Sequence, residues 1–193
     1  MVLDLDHTCV HSLPREEFSG LPYAVKADLL AVYPDHFFMY HPSDGSVLFV
    51  CFVRPGLHVF LETVLRWRAV KHIYVWTMAV EWYAREVVRE VFLSRGIPVD
   101  VVLSSRDCEI SRMMFDGHPK DLRLIDLAEP RNEGESTPSP LVLFDDVTSM
   151  SRNQEGQVVT VDKFNVFDHH ISGKKDTYWF DLLDKVTSIP RYR

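Results

Sequence analysis

The chain has 193 residues, of which 46% are hydrophobic and 25% charged, and its net charge is −7. That length and balance suit one globular domain with a substantial core, and the negative charge argues against non-specific nucleic-acid binding. No apolar run reaches membrane-spanning length, no signal-peptide pattern precedes the first strand, and three cysteines without metal-ligand spacing suit a reducing compartment.

The first predicted element is a short apolar strand, Met1-Val2-Leu3, that ends in Asp4-Leu5-Asp6-His7-Thr8. A turn at a strand end can aim both carboxylates at one point, and an acidic loop there reads as the carboxyl edge of a parallel sheet. Phe37 to Tyr40 and Val47 to Val53 flank Pro42-Ser43-Asp44-Gly45, which predicts a β-hairpin. Leu57, Phe60, Leu61, Val64 and Leu65 lie at helical spacing behind Pro55-Gly56. Ile73 to Trp76 is a buried-strand run that ends in Thr77, and residues 80–95 predict a helix with Ala84, Val87, Val88, Val91 and Phe92 as its stripe, stopped by Gly96 and Pro98. Val101 to Leu103 is a further strand, and Lys120 heads a helical pattern. Glu129 to Pro140 is a polar loop. Leu141 to Phe144 is a strand that ends in Asp145-Asp146, Val158 to Val161 is another strand, and Trp179, Leu182, Leu183 and Val186 make a final amphipathic helix. Strands alternating with helices imply a parallel sheet covered on both faces.

Taken singly, each chemical signal has a plain alternative. The two leading aspartates could be solvated in an Asx turn, Thr77 could be an N-cap, Lys120 a solvated helix residue, and Asp145-Asp146 a turn cap. Taken together and in order, Asp4-Leu5-Asp6-His7-Thr8, Thr77, Lys120 and Asp145-Asp146 resemble the haloacid-dehalogenase-like phosphotransferases. More narrowly the chain resembles the FCP/SCP group, the RNA polymerase II C-terminal-domain phosphatases. Val2 to Thr8, Val10-His11-Ser12, Arg54-Pro55-Gly56-Leu57, Thr77-Met78, Tyr83-Ala84, Lys120-Asp121-Leu122 and Asp145-Asp146 carry that resemblance, which spans residues 1 to about 165. The stretch from Arg106 to Lys120, the loop 129–140 and the segment after Asp146 match it poorly.

The resemblance implies an α/β fold: a Rossmannoid, haloacid-dehalogenase-like parallel sheet flanked by helices, with a small β-hairpin insertion at about 20–53 and no large cap domain. Residues 1–193 would be a single FCP/SCP-like catalytic domain, monomeric, with an open site suited to a phosphate carried on a protein. The implied activity is that of a Mg²⁺-dependent phosphoserine/phosphothreonine protein phosphatase, with the RNA polymerase II C-terminal domain as a candidate substrate and the nucleus as its location.

The chemistry follows from residue types. Asp4 is the candidate nucleophile, which would form an aspartyl-phosphate. Asp6 is the candidate general acid and then base, with its backbone carbonyl facing the metal. Asp145 would ligate Mg²⁺ and Asp146 would do so directly or through water, so that Asp4, Asp6, Asp145 and Asp146 form the metal set. Thr77 would hold phosphate oxygens and Lys120 would screen Asp4 and the phosphoryl group. Thr8 is expected to order the loop by hydrogen bonds, His7 to be structural, Asp168 to lie in a loop and Trp179 in the core. The crowded acids suggest that Asp145→Ala would relieve like-charge repulsion. Apolar hairpin residues such as Phe37, Phe38, Val47 and Phe49 would support a peptide.

Three competing readings are weaker. Cys9 to Arg15 has the C-x5-R form of a cysteine phosphatase loop, but Leu13-Pro14 replaces the glycine and a backbone donor which that loop needs. A response-regulator receiver has adjacent acids on its first strand, whereas these are two apart. A non-catalytic scaffold on the same fold would be expected to lack an acid, and a generic small-molecule phosphohydrolase would need a cap.

Overall fold

The structure, a computed structural model, describes residues 1–67, 70–128, 140–151 and 156–188. The polar loop read at 129–140 lies outside the described residues except for Pro140.

A two-residue strand, β1 (Val2–Leu3), runs into the acidic turn, and β2 (Val10–Pro14) leaves it. Two helices follow, α1 (Arg15–Gly20) and α2 (Tyr23–Val32), then the hairpin β3 (His36–Tyr40) and β4 (Val47–Val53). The His41 N–H donates to the Ser46 carbonyl at 2.7 Å and the Asp44 carboxylate accepts the Ser46 N–H at 2.9 Å, so the turn read from Pro42 to Gly45 closes as an Asx-type loop. The remaining order is α3 (Leu57–Arg66), β5 (Tyr74–Trp76), α4 (Glu81–Val91), β6 (Val101–Leu103), α5 (Ser105–Met114), α6 (Arg123–Ala128), β7 (Leu143–Asp145), β8 (Val158–Thr160), α7 (Val166–Ser172) and α8 (Tyr178–Thr187).

The main sheet is parallel throughout, in the order β6-β5-β1-β7-β8. The chain builds outward from β1 through β5 to β6 and then restarts on the other side with β7 and β8. The switch point therefore falls at β1, where ligands bind in open α/β sheets. Successive side chains of these strands point to opposite faces. Leu3, Val75 and Phe144 meet α3, α4 and Trp179 of α8 on one side. Val2, Tyr74, Trp76 and Leu143 meet Cys108 of α5 with Leu122 and Ile125 on the other. Leu57, Phe60, Leu61 and Val64 of α3 are all buried, each stabilising the fold by about 1.5–3 kcal/mol in gross transfer energy.

The region read as a hairpin insertion is larger than a hairpin. β2, β4 and β3 form an antiparallel three-stranded sheet. Its inner face joins the main core through Val10, Met39, Cys51 and Val53. Its outer face, with Leu13, Val50 and Phe52, makes a second small core with Leu29 and Tyr33 at α2 and with Phe164 and Val166 at α7. The helix α2 escapes a periodicity reading because apolar residues fall on all its sides (Tyr23, Val25, Leu29, Leu30, Val32) and leave no stripe. The helix α5 is likewise missed, although Ser104 and Asp107 form a capping box, the Ser104 N–H reaching the Asp107 carboxylate at 2.7 Å. Asp168, read as a loop residue, lies in α7, whereas Trp179 is fully buried as expected. Among the described residues nothing resembling a large cap domain stands between β1 and α3.

Arg54, just after β4, fastens these parts together. It is only 2% exposed. Its guanidinium donates to both oxygens of Asp176, at 3.0 Å and 2.8 Å, and to the Thr8 carbonyl at 3.4 Å. It also sits 4.7 Å from the centre of the Tyr178 ring. One side chain thus links the acidic turn, the small sheet and the start of α8. The next turn needs Gly56, whose φ is +81° and where a Cβ would come within 2.9 Å of the Phe180 ring. Arg54→Ala strands the Asp176 carboxylate and the Thr8 carbonyl, so unfolding in urea is expected to show a loss of about 3 kcal/mol; an unchanged midpoint would mean that the clamp does not hold these parts together.

Candidate active site

Three neighbouring strands deliver the candidate residues to one edge. The register pairs Leu3 with Val75 of β5 and with Phe144 of β7. One step further along each strand brings Asp4 level with Asp145, and Thr77 beside the Asp4–Asp6 turn. The Asp4 N–H still donates to the Phe144 carbonyl at 2.9 Å, so the nucleophile candidate is the last rung of the ladder. The chain then turns sharply. The N–H groups of Cys9 and Val10 both reach the Leu5 carbonyl, at 2.8 Å and 3.0 Å. His7 occupies the left-handed region, with φ of 62°, which is unusual outside glycine. It is held there by two contacts with Phe164: its carbonyl accepts the Phe164 N–H at 2.7 Å, and its Nδ1 lies 2.9 Å from the Phe164 carbonyl oxygen. His7 is thus structural. The Thr8 hydroxyl is buried and has no hydrogen-bond partner among the described residues; the loop is ordered by main-chain groups instead.

Lys120 arrives from the opposite side of the sheet. Behind α5, Asp116 and Gly117 both take positive φ, 52° and 84°, and reverse the chain. The Ser111 hydroxyl then donates to the His118 carbonyl at 2.7 Å and accepts the Asp121 N–H at 3.0 Å, which pins the segment that carries Lys120. Lys120 precedes α6 rather than lying in it. Its ammonium donates to Asp4 Oδ1 at 2.6 Å and to Asp145 Oδ2 at 2.7 Å while only 1% exposed. Asp145 also accepts the Val147 N–H at 2.7 Å through its other oxygen.

Asp4, Asp145 and Asp146 each bring a carboxylate oxygen within 4.8 Å of the others. At that separation each like-charged pair repels by about 3 kcal/mol for an effective dielectric near 20. Lys120 touches two of the three carboxylates and leaves Asp146 without its compensation. Hard oxygen donors with an uncompensated negative charge fit a divalent cation such as Mg²⁺. The main-chain turn bonds use the Leu5 carbonyl and leave that of Asp6 free, so the donor set extends to the group expected from the sequence.

Asp6 itself is held apart from the three-carboxylate group. Its Oδ1 accepts the Tyr83 hydroxyl at 2.5 Å. Tyr83 is only 6% exposed and lies on α4, and its oxygen is also 2.7 Å from the Ser12 hydroxyl. Tyr83 and Ser12 are the residues with a bearing on the site that sequence reasoning leaves without a role. A signal exists: Tyr83 shares a helix face with Val87 and Val91, and a tyrosine on a buried stripe needs a partner for its hydroxyl. Thr77 is 1% exposed and its hydroxyl accepts the Ala79 N–H at 3.0 Å, so it caps a turn ahead of α4 rather than the helix itself. Cys9 is fully buried and burial raises its thiol well above the usual range, which does not suit a nucleophile.

Burial also lifts the Asp4 carboxyl to about 7; Asp145 and Asp6 add to the rise and Lys120 opposes it. Asp6 is raised by burial against the Tyr83 hydrogen bond, and Asp146 is raised by burial and by Asp145. Burial works to lower Lys120, but Asp4 and Asp145 outweigh it and hold the ammonium above its usual range. A cavity of about 520 Å³ opens beside Arg54, between Lys163 and α8, and none of these carboxylates lines it; the site is located by its chemistry, not by that cavity. Of the hairpin residues expected to face a peptide, Phe37 and Phe49 pack against the core, with the Phe49 ring 5.7 Å from Tyr83, while Phe38 and Tyr40 are 41% and 53% exposed.

The relief of like-charge crowding anticipated for Asp145→Ala does not follow from this geometry, because Lys120 already bridges the acids. That variant removes one partner of a buried ammonium, and in chelator it is expected to lose roughly 3 kcal/mol of stability; a gain in melting temperature would contradict the bridge. A carboxyl raised in the folded state stabilises fully below its unfolded value and loses that contribution as pH rises towards its folded value. Asp4→Asn in chelator is therefore expected to gain stability relative to the parent between about pH 4 and pH 7, and a difference that stays flat across that window in urea titrations would refute the buried-carboxyl assignment.

The sequence model of the NLI interacting factor-like phosphatases matches residues 1–191. No curated protein matches the sequence. Among solved structures, a variant of the fission yeast RNA polymerase II CTD phosphatase Fcp1 bound to beryllium fluoride is similar with a TM-score of 0.58 and 22% identity, over 96% of this chain and 47% of that one. A second structure, of Fcp1 described as an essential RNA polymerase II CTD phosphatase, gives a TM-score of 0.58 and 22% identity, over 97% of this chain and 48% of that one. The chain thus spans about half the length of these structures and shares their haloacid-dehalogenase-like fold. With the family's sequence model covering nearly every residue, the chain belongs to the NLI interacting factor-like phosphatase family.

Proposed function

We propose that the chain is a Mg²⁺-dependent phosphoserine/phosphothreonine protein phosphatase that works through an aspartyl-phosphate on Asp4. The observation that carries this reading is the convergence of Asp4, Asp145 and Asp146 around buried Lys120 at the carboxyl edge of the parallel sheet. Asp4, Asp145 and Asp146, with the Asp6 carbonyl, would hold Mg²⁺. When bound, the ion would neutralise charge on the transferred phosphoryl group.

Asp4 attacks phosphorus with a carboxylate oxygen, and the bond from phosphorus to the serine oxygen breaks. Lys120 holds Asp4 oriented and offsets negative charge at the reacting centre. Asp6 passes its proton to the departing alkoxide; its raised proton affinity is what a general acid needs. In the second step Asp6 takes a proton from water, whose oxygen attacks phosphorus and frees Asp4. Thr77, at the end of β5, supplies a hydroxyl and neighbouring N–H groups for the phosphate oxygens.

The substrate class rests on openness. A small sheet stands where a capped enzyme would enclose a metabolite, so binding energy must come from a longer molecule. Phe38 and Tyr40 on the small sheet offer exposed apolar surface for an extended peptide. The solved relatives act on the RNA polymerase II C-terminal domain, which makes that repeat the first substrate to try and the nucleus the compartment to examine. Residues 1–193 would act as one monomeric catalytic domain with its insertion at about 20–53, without direct nucleic-acid or membrane binding.

Asp4→Asn should lower kcat by on the order of 10⁴-fold or more with the fold intact, and near-parental turnover would rule out the mechanism. Asp145→Ala should abolish Mg²⁺-dependent turnover, an expectation that full activity in chelator would refute. Phosphoserine peptides should exceed free phosphoserine and sugar phosphates in kcat/KM by at least about a hundredfold; equal efficiencies would favour a generic phosphohydrolase, and no Mg²⁺-dependent turnover of any of them would favour a scaffold.

A further inference from the structure

The Asp6 carboxyl has two oxygens, and only one can serve the leaving group. Oδ1 is occupied by the Tyr83 hydroxyl at 2.5 Å. Tyr83 has a single proton, which this contact uses. Its oxygen lies 2.7 Å from the Ser12 hydroxyl, so in that contact Ser12 must be the donor. Ser12 in turn lies 3.2 Å from Cys51 Sγ, the residue opposite it in the β2–β4 ladder. The contacts form one chain: Cys51, Ser12, Tyr83, Asp6.

The chain could run in either direction, and the two are unequal. Directed towards Asp6 it ends on a carboxylate oxygen, a strong acceptor. Reversed, Asp6 would donate from Oδ1 to Tyr83 and the chain would end on a thiol sulfur, a weak acceptor. The forward direction keeps the acid proton on Oδ2. The Tyr83 ring cannot move away to make another choice, because it is anchored on α4 with the Phe49 ring packed 5.7 Å away. The one free variable is the rotation of its O–H, and Ser12 is the group that sets it.

We propose that Ser12 is a positioning residue: its hydroxyl aims the Tyr83 O–H at Oδ1 of Asp6 and so reserves Oδ2 for proton exchange with the leaving serine oxygen. This rests on the aspartyl-phosphate reading. In the step concerned, the bond from Asp4 oxygen to phosphorus forms, the bond from phosphorus to serine oxygen breaks, and the proton on Asp6 Oδ2 moves to that serine oxygen. An alkoxide needs the proton; a nitrophenolate leaving group does not. The contribution of Ser12 should therefore depend on the leaving group, which a purely structural role would not.

The experiment compares parent, Ser12→Ala, Ser12→Thr and Tyr83→Phe with Mg²⁺, using a phosphoserine peptide and 4-nitrophenyl phosphate. Rapid-quench measurement follows formation of the phosphoenzyme from each substrate. For Ser12→Ala the rate with the peptide should fall about tenfold at unchanged KM, and the rate with the aryl phosphate should change by less than about twofold. Ser12→Thr should restore the peptide rate, since it keeps the hydroxyl. Tyr83→Phe should show the same selectivity with a larger loss. Equal losses on both substrates, or parental rates in Ser12→Ala, would overturn the proposal while leaving the phosphatase reading standing. Absence of any phosphoenzyme in the parent would overturn both.

Discussion

A lysine ammonium between two buried carboxylates is the constraint on which the rest of this structure depends. Lys120 bridges Asp4 and Asp145, with almost no exposure to water. Neither the lysine nor the acids could be charged there alone, since burying an unpaired ion costs several kcal/mol. The bridge also draws on both halves of the sheet. Asp4 comes from β1, Asp145 from β7, and Lys120 from the loop behind α5. If strand order or register slipped by one residue, every side chain would change faces and the bridge would fail. A buried ion pair of this kind contributes little net stability, but it penalises wrong arrangements heavily.

Two supports hold the bridge in place from opposite sides. On the α5 side, the left-handed pair Asp116-Gly117 turns the chain and Ser111 satisfies both a carbonyl and an N–H of the segment around Lys120. On the other side, Arg54 joins the acidic turn to Asp176 at the head of α8. These contacts explain why residues distant from any proposed substrate are needed for the site. They also explain why the acids can crowd: three carboxylates gather at one strand edge because the surrounding main chain leaves them no other position. The uncompensated charge is then available to a cation and to a phosphoryl group.

The small antiparallel sheet has two tasks that a hairpin alone could not perform. Its inner face completes the main core, and its outer face builds a second core with α2 and α7. It therefore stands rigidly beside the acidic turn. It also supplies Ser12 and Cys51 from adjacent strands, so the acid–base candidate Asp6 is connected to the interior of the insertion through Tyr83. An insertion that serves both as a wall and as a hydrogen-bonding support makes a large cap unnecessary for orienting the reacting groups.

Much of this was legible in the order of residues. Short apolar runs ending in Asp4, Thr77 and Asp145 mark strand ends, because a buried strand has to be apolar and a reactive edge has to be polar. The helix over 80–95, the turn at Pro42 to Gly45 and the buried Trp179 follow from periods of 3.6 and 2 and from turn chemistry. The helix α2 was hidden because it is apolar on all sides, and α5 because its face carries few large apolar groups between its polar ones. No local pattern could show that Lys120 donates to two acids 116 and 25 residues away, or that Tyr83 meets Asp6 77 residues away. The sequence by itself determined which chemical groups were present and at which strand ends they would stand. Only the tertiary structure decided which of them share a proton, a charge or a partner, because those pairings depend on strand order and helix packing, which bring together residues that the chain keeps far apart.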